Sequence, residues 1–220
     1  MNAAIAGIAG SLRAGSHTRA LLRAAASHVP PGLRLTIWDA LATVPPFSED
    51  LEAAPVPGAV AELRQLIGAA DAVLIVTPEY NGSVPGQLKN ALDWASRPRG
   101  AAALEGKPAT VISAGPSPRG GAWALADLRK ILTIAGADVA ETELSVPQVH
   151  TRLTPAGQLT DPGLARHLTE LLSELAEHAT RRQARAGITG ETEATTTRSP
   201  PRGAAARGAG APRPTRAEAA

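Results

Sequence analysis

Residues Ala72-Val73-Leu74-Ile75-Val76 are apolar at every position, bounded by Asp71 and Thr77. A run this short with no polar face describes a strand covered on both sides, the condition of an inner strand in a parallel sheet. Four further segments read as strands: Ala4 to Gly10, Leu33 to Trp38, Ala109 to Ala114 and Ala137 to Leu144. Between them, apolar residues recur at helical spacing: Leu21, Leu22, Ala25 and Ala26; a segment from about Val56 to Ile67; Leu88, Ala91, Leu92 and Ala95; and Leu125, Leu128, Ile131 and Leu132. A last amphipathic stripe, Leu164, Leu168, Leu171, Leu172 and Leu175, predicts a helix ending near Thr180. Five strands alternating with helices predict a doubly wound α/β domain, because each helix needs an apolar sheet face for its stripe. The expected strand order is 2-1-3-4-5, with helices on both faces and a ligand crevice at the carboxyl ends of the strands, where the order reverses.

Charge divides the chain unequally. Eight of the 22 Lys and Arg residues follow residue 180, against three of the 20 Asp and Glu residues. Residues 1–180 are therefore net acidic, and residues 181–220, rich in Ala, Gly, Pro and Thr, are expected to be a basic disordered tail. With no aromatic platform beside those charges, no specific nucleic-acid partner is expected. The absence of cysteine removes disulfides, thiolate nucleophiles and cysteine-ligated metal sites. The five histidines, at 17, 28, 150, 167 and 178, show no metal-ligand spacing, and no Gly-x-Ser-x-Gly elbow occurs. No apolar run reaches the roughly 18 residues of a membrane span, and the amino terminus has no leader pattern. A cytoplasmic protein with no membrane partner is expected.

Three loops follow successive inner strands. The first, Gly10-Ser11-Leu12-Arg13-Ala14-Gly15-Ser16-His17-Thr18, collects hydroxyls, helix-start amides and one guanidinium, a donor set suited to an anion; alternatively Ser16 only caps the helix and Arg13 is solvated. It is neither a Walker loop nor a dinucleotide fingerprint, since the lysine and the closely spaced glycines are missing. The second runs from Thr77 through Pro78-Glu79-Tyr80-Asn81-Gly82 to Asn90, with turn signals at Asn81-Gly82 and a helix start at Pro85. Its backbone can read the edge of a flat heterocycle while Tyr80 closes over it. Glu79 stands without a visible proton partner, weak grounds for a general base. The third, Ser113 to Gly121, is Gly-rich and permits close approach of a flat ligand. The Pro-rich segment after Trp38 is a further candidate wall, with Phe47 either lining it or anchoring Pro45-Pro46; Trp38, Trp94 and Trp123 are expected in packing or subunit contacts.

Together, GSLRAGSHTRALL at positions 10–22 and PEYNGSVPGQLKNALDWASR at positions 78–97 resemble the NADPH-dependent FMN reductase family, over about residues 4–178. The resemblance implies a flavodoxin-like domain that holds FMN without a covalent bond and assembles as a homodimer or a homotetramer of paired dimers. It assigns Ser11, Arg13, Ser16 and Thr18 to the FMN phosphate; Thr18 stands where the family often has asparagine. It assigns Pro78, Glu79, Tyr80, Asn81 and Gly82 to the loop beside the isoalloxazine ring, and Ser113 with its following turn to the third wall. The implied reaction takes hydride from NADPH or NADH to flavin N5 and passes electrons to a small acceptor such as a quinone or free flavin, in a ping-pong cycle without a protein nucleophile. The nearest alternatives are an FMN-containing electron carrier and a redox-responsive interaction protein.

Overall fold

The computed structural model describes residues 3–52 and 55–196. Strands β1 (Ala3–Ala9), β2 (Leu33–Trp38), β3 (Ala72–Thr77), β4 (Pro108–Ala114), β5 (Asp138–Val139) and β6 (Leu144–Val146) form one sheet in the order β2-β1-β3-β4-β5, with β6 also on β4. Every described pairing is parallel. The architecture is the flavodoxin-like doubly wound sheet, its order reversing between β1 and β3.

Alternation along the inner strands explains the two cores. Ala6 and Ile8 of β1, Val73 and Ile75 of β3, and Ala109 and Val111 of β4 face one side. There they pack against α3 (Gly58–Ala69), α4 (Gly86–Ala95) and α5 (Ala122–Ile134). Ile5, Ala9, Leu74, Val76, Ile112 and Ala114 face the other, under α1 (His17–Ala26) and α6 (Pro162–Thr196). A side chain such as Leu74, wholly removed from solvent, contributes about 1.5–3 kcal/mol by burial. Two sandwiched faces leave the ends of the sheet as the places where loops can build a site.

Three details depart from the sequence-based expectation. The fifth strand is not continuous from Ala137 to Leu144: β5 pairs with Pro108 and Ala109, the chain bulges through Ala140-Glu141-Thr142-Glu143, and β6 rejoins at Ile112 and continues to Val146. The bulge keeps Glu141, Thr142 and Glu143 out of the ladder and exposed at the sheet edge. Instead, Glu143 pairs with Arg129 at 3.2 Å and the Thr142 carbonyl accepts from Thr110 at 2.7 Å. The last helix runs past Thr180 to Thr196, and just past Thr180 its Arg182 donates to the Gly106 carbonyl at 3.2 Å and its Gln183 to Asp71 at 2.6 Å. Internal contacts group the chain into one unit that ends at Arg185. Finally, the Pro-rich segment, which holds the single-turn α2 (Glu49–Glu52), is tied to α4: Gln87 donates to the Leu41 and Val44 carbonyls, and Asn90 and Trp94 both donate to the Pro45 carbonyl.

Candidate functional site

The three loops leave β1, β3 and β4 at the same edge and enclose a cavity of about 310 Å³. A wider groove of about 920 Å³ lies along α1 against residues 153–159 and meets the cavity at Ser16 and His17, but only one of the three loops borders it. Convergence rather than size marks the smaller cavity as the candidate site.

At one end of the cavity stand Ser11, Arg13, Ser16, His17 and Thr18. Ser16 caps α1, its hydroxyl accepting from the Arg19 amide at 3.2 Å and lying 2.9 Å from the Thr18 hydroxyl. Ser11, Ser16 and Thr18 are each buried, with no more than 6% of their surface exposed, so they face the cavity rather than bulk water. The His17 and Thr18 amides are first-turn donors with no intrahelical acceptor. Arg13 is exposed and has no carboxylate partner among the described residues. Hydroxyls, helix-start amides and an uncommitted guanidinium form a cradle for a phosphate.

The other end is built from Pro78, Glu79 and Tyr80 opposite Ala114, Gly115, Pro116, Ser117 and Gly121, with Val149 between loops. Asn81 and Gly82, at φ 52 and 79, form a tight two-residue turn closed by reciprocal bonds between Tyr80 and Ser83 of 2.9 and 3.1 Å. That turn aims Tyr80, 44% exposed, at the mouth of the cavity, where its hydroxyl lies 3.3 Å from that of Ser11. Glu79 reaches across the cavity wall: one carboxylate oxygen accepts from the Trp123 and Ala124 amides at 3.0 and 3.2 Å. Gly121, at φ 86, precedes those amides, and a Cβ there would sit 3.3 Å from Ser113 and 3.5 Å from Glu79. A wall made of Gly115, Pro116 and Gly121 offers a flat, low-relief surface to a planar ring. The residues present therefore fit the two chemistries of FMN: an anion-binding end on α1 and a flat end between the second and third loops.

Seven of the ten expected site residues line this cavity: Ser11, Arg13, Ser16, Thr18, Pro78, Glu79 and Tyr80. Asn81, Gly82 and Ser113 do not. The first two make the turn, and Ser113, wholly buried at the end of β4, donates to Ser145 at 3.2 Å. His17, Ala114, Gly115, Pro116, Ser117, Gly121 and Val149 complete the lining. The Gly-rich composition signalled the third loop, while nothing local to Val149 announces its place. Phe47 is not a wall; its ring packs edge-on against Trp94 with centroids 4.9 Å apart. Trp38 and Trp94 are core residues, whereas Trp123 is 57% exposed beneath the Arg119 guanidinium, 4.9 Å from the ring centre. Among the described residues, no group of three or more His, Asp or Glu is placed to hold a metal, and no helix is long and apolar enough to cross a membrane.

A doubly wound sheet with an anion cradle and a flat slot at its switch point defines the class of flavodoxin-like cofactor-binding domains. Comparison with known proteins narrows this. Residues 3–151 match the model of the NADPH-dependent FMN reductase family, and the chain belongs to that family. It is 39% identical over 158 residues to an NAD(P)H-dependent FMN reductase of Pseudomonas aeruginosa, covering 71% of this chain and 84% of that one. It is 45% identical over 117 residues to a quinone reductase of Pseudomonas putida, covering 53% of this chain and 62% of that protein. The flavoenzyme NAD(P)H:(acceptor) oxidoreductase of Paracoccus denitrificans superposes with a TM-score of 0.74 at 32% identity, covering 82% of this chain and 98% of that one. The chain is thus an FMN-dependent NAD(P)H oxidoreductase of small acceptors.

Proposed function

We propose that this enzyme takes hydride from NADPH or NADH at flavin N5 and hands electrons to a quinone or free flavin, the two substrates occupying one cavity mouth in turn. The observation that carries the proposal is the convergence of three loops on a single cavity with an anion-binding end and a flat end. FMN, when bound, supplies the redox chemistry, accepting hydride at N5 and releasing electrons to the acceptor. Ser11, Arg13, Ser16 and Thr18 hold the phosphate and so fix the distance from anchor to ring. Pro78, Glu79 and Tyr80 border the ring, the Asn81-Gly82 turn aims Tyr80, and Ser113 supports Gly121 from below. Tyr80, exposed and anchored toward Ser11, gives the mouth an aromatic edge suited to a nicotinamide or a quinone.

With one mouth, donor and acceptor exclude each other, so a ping-pong cycle is expected. Steady-state rates over a grid of both substrates should give parallel double-reciprocal lines, and stopped-flow mixing with NAD(P)H alone should bleach the bound flavin. Intersecting lines, together with no bleaching until an acceptor is added, would remove the alternating cycle. Reduction only by a protein donor would make the chain an electron carrier. We further propose a cytoplasmic homodimer or homotetramer of paired dimers, to which exposed Trp123 and Ile134 on α5 contribute apolar surface. Sedimentation equilibrium of the full chain tests the assembly, and a monomer at micromolar concentration would refute it.

A further inference from the structure

Two of the walls that would enclose the ring come from different strands, and beyond the Thr77–Ser113 pair that ends the β3–β4 ladder no main-chain hydrogen bond among the described residues joins the second loop to the third. Two side chains do. Ser83 donates to Asp127, in the second turn of α5, at 2.6 Å, outside the cavity lining. Glu79, which lines the cavity, accepts from the Trp123 and Ala124 amides at the start of the same helix. That start has no cap of its own: the residue before α5 is Gly121, left-handed and without a side chain. First-turn amides left without acceptors fray. A side-chain acceptor for them is not available at the capping position, and Glu79 supplies one from 44 residues upstream of Trp123.

We propose that Glu79 is a positioning residue: its carboxylate closes the α5 amino terminus and thereby sets the width of the slot between the second and third loops. The proposal rests on the assignment of that slot to the flavin ring. Glu79 acts here as a hydrogen-bond acceptor, not as an acid or base, and takes no proton from either substrate. With both the Trp123 and Ala124 amides on Oε2, that oxygen is turned into the wall beside Gly121, which lines the slot together with Gly115.

The test uses the full chain and three variants: Glu79→Ala, which removes the acceptor; Glu79→Gln, which keeps an oxygen for both amides while losing the charge; and Ser83→Ala, which cuts the other tie. Amide hydrogen exchange at Trp123 and Ala124, measured by NMR without flavin, should accelerate about tenfold or more in Glu79→Ala. It should stay within about threefold of wild type in Glu79→Gln and in Ser83→Ala, since a neutral acceptor retains most of a cap's effect. With flavin, Glu79→Ala should weaken FMN and riboflavin by the same factor, about tenfold, because the loss is at the ring end; Glu79→Gln should restore both. Unchanged exchange in Glu79→Ala, failure of glutamine to rescue, or an equal effect from Ser83→Ala would each overturn the proposal. Failure of the wild-type protein to bind any flavin would instead overturn the cofactor assignment, a result separable from the exchange measurement made without flavin.

Discussion

Two helices begin at the rim of the cavity, and they begin differently. α1 is capped from within its own loop by Ser16, a neutral hydroxyl, and the cavity beside it is lined by the cation Arg13. α5 follows a glycine and is capped from a distant loop by the carboxylate of Glu79. Helix amino termini carry partial positive charge and attract anions, but one already satisfied by a carboxylate repels a second. Under the proposed assignment this difference is what orients the ligand, with the phosphate at α1 and the uncharged ring at α5. A third start, that of α6, does not border the cavity and is capped locally by Asp161, which accepts from the Gly163 and Leu164 amides at 2.8 and 3.2 Å. Capping by a carboxylate is thus compatible with either a structural or a site-shaping role, depending on what lies beside it.

The largest expected effect contrasts the glycines of the two rim loops. At Gly120, φ is 60 and a Cβ would stand 2.6 Å from the Pro147 nitrogen and 2.7 Å from the Val146 carbonyl carbon, backbone atoms that cannot step aside. Gly120→Ala should cost about 3 kcal/mol in thermal or urea unfolding. Gly15, in the α1 loop, has open space around its Cβ position, and Gly15→Ala should change stability by no more than about 0.5 kcal/mol. Equal losses would mean that the third loop is no more tightly built than the first.

Next in size is Arg13→Ala, which should weaken FMN by about 1.5–3 kcal/mol and leave riboflavin unaffected. Titration of the apoprotein with each flavin measures this, and equal losses would take the phosphate away from α1. Ser16→Ala should cost about 1 kcal/mol of stability through its lost cap, read from chemical denaturation.

The smallest effect concerns Asp161, whose carboxyl is held below its ordinary value, most by the Leu164 amide bond, with Gly163 and Arg152 adding and desolvation opposing. A carboxylate with a depressed folded-state pKa stabilises fully above its unfolded value of about 3.9, and that contribution is lost as pH falls through the folded value. Asp161→Asn should therefore lower the melting temperature slightly at pH 7 and flatten its decline below about pH 4, whereas an unchanged acid slope would exclude the linkage.

Some of this is legible in the sequence. The Ala72 to Val76 run, apolar at every position, demands a strand covered twice, and Ser16 before an amphipathic helix reads as either a phosphate ligand or a cap. Asn81-Gly82 read as a turn because few other pairs accept two positive φ angles. The break between β5 and β6 was obscured because Val139 and Leu144 look continuous until the acidic residues between them must find partners in space. The extension of α6 past Thr180 was hidden for the same reason, since composition describes Arg182 and Gln183 as polar but not the Gly106 carbonyl or Asp71 they reach.

Sequence alone determined the periodicities, turn chemistry and motif order, hence a doubly wound sheet and the family, because these depend on residues close together in the chain. Only tertiary structure decided that Glu79 ends on α5, that Val149 enters the cavity, and that Ser113 lies behind the wall rather than in it. Those assignments depend on hydrogen bonds and contacts between residues some thirty or more positions apart, whose geometry exists only once the sheet has brought three loops to one edge.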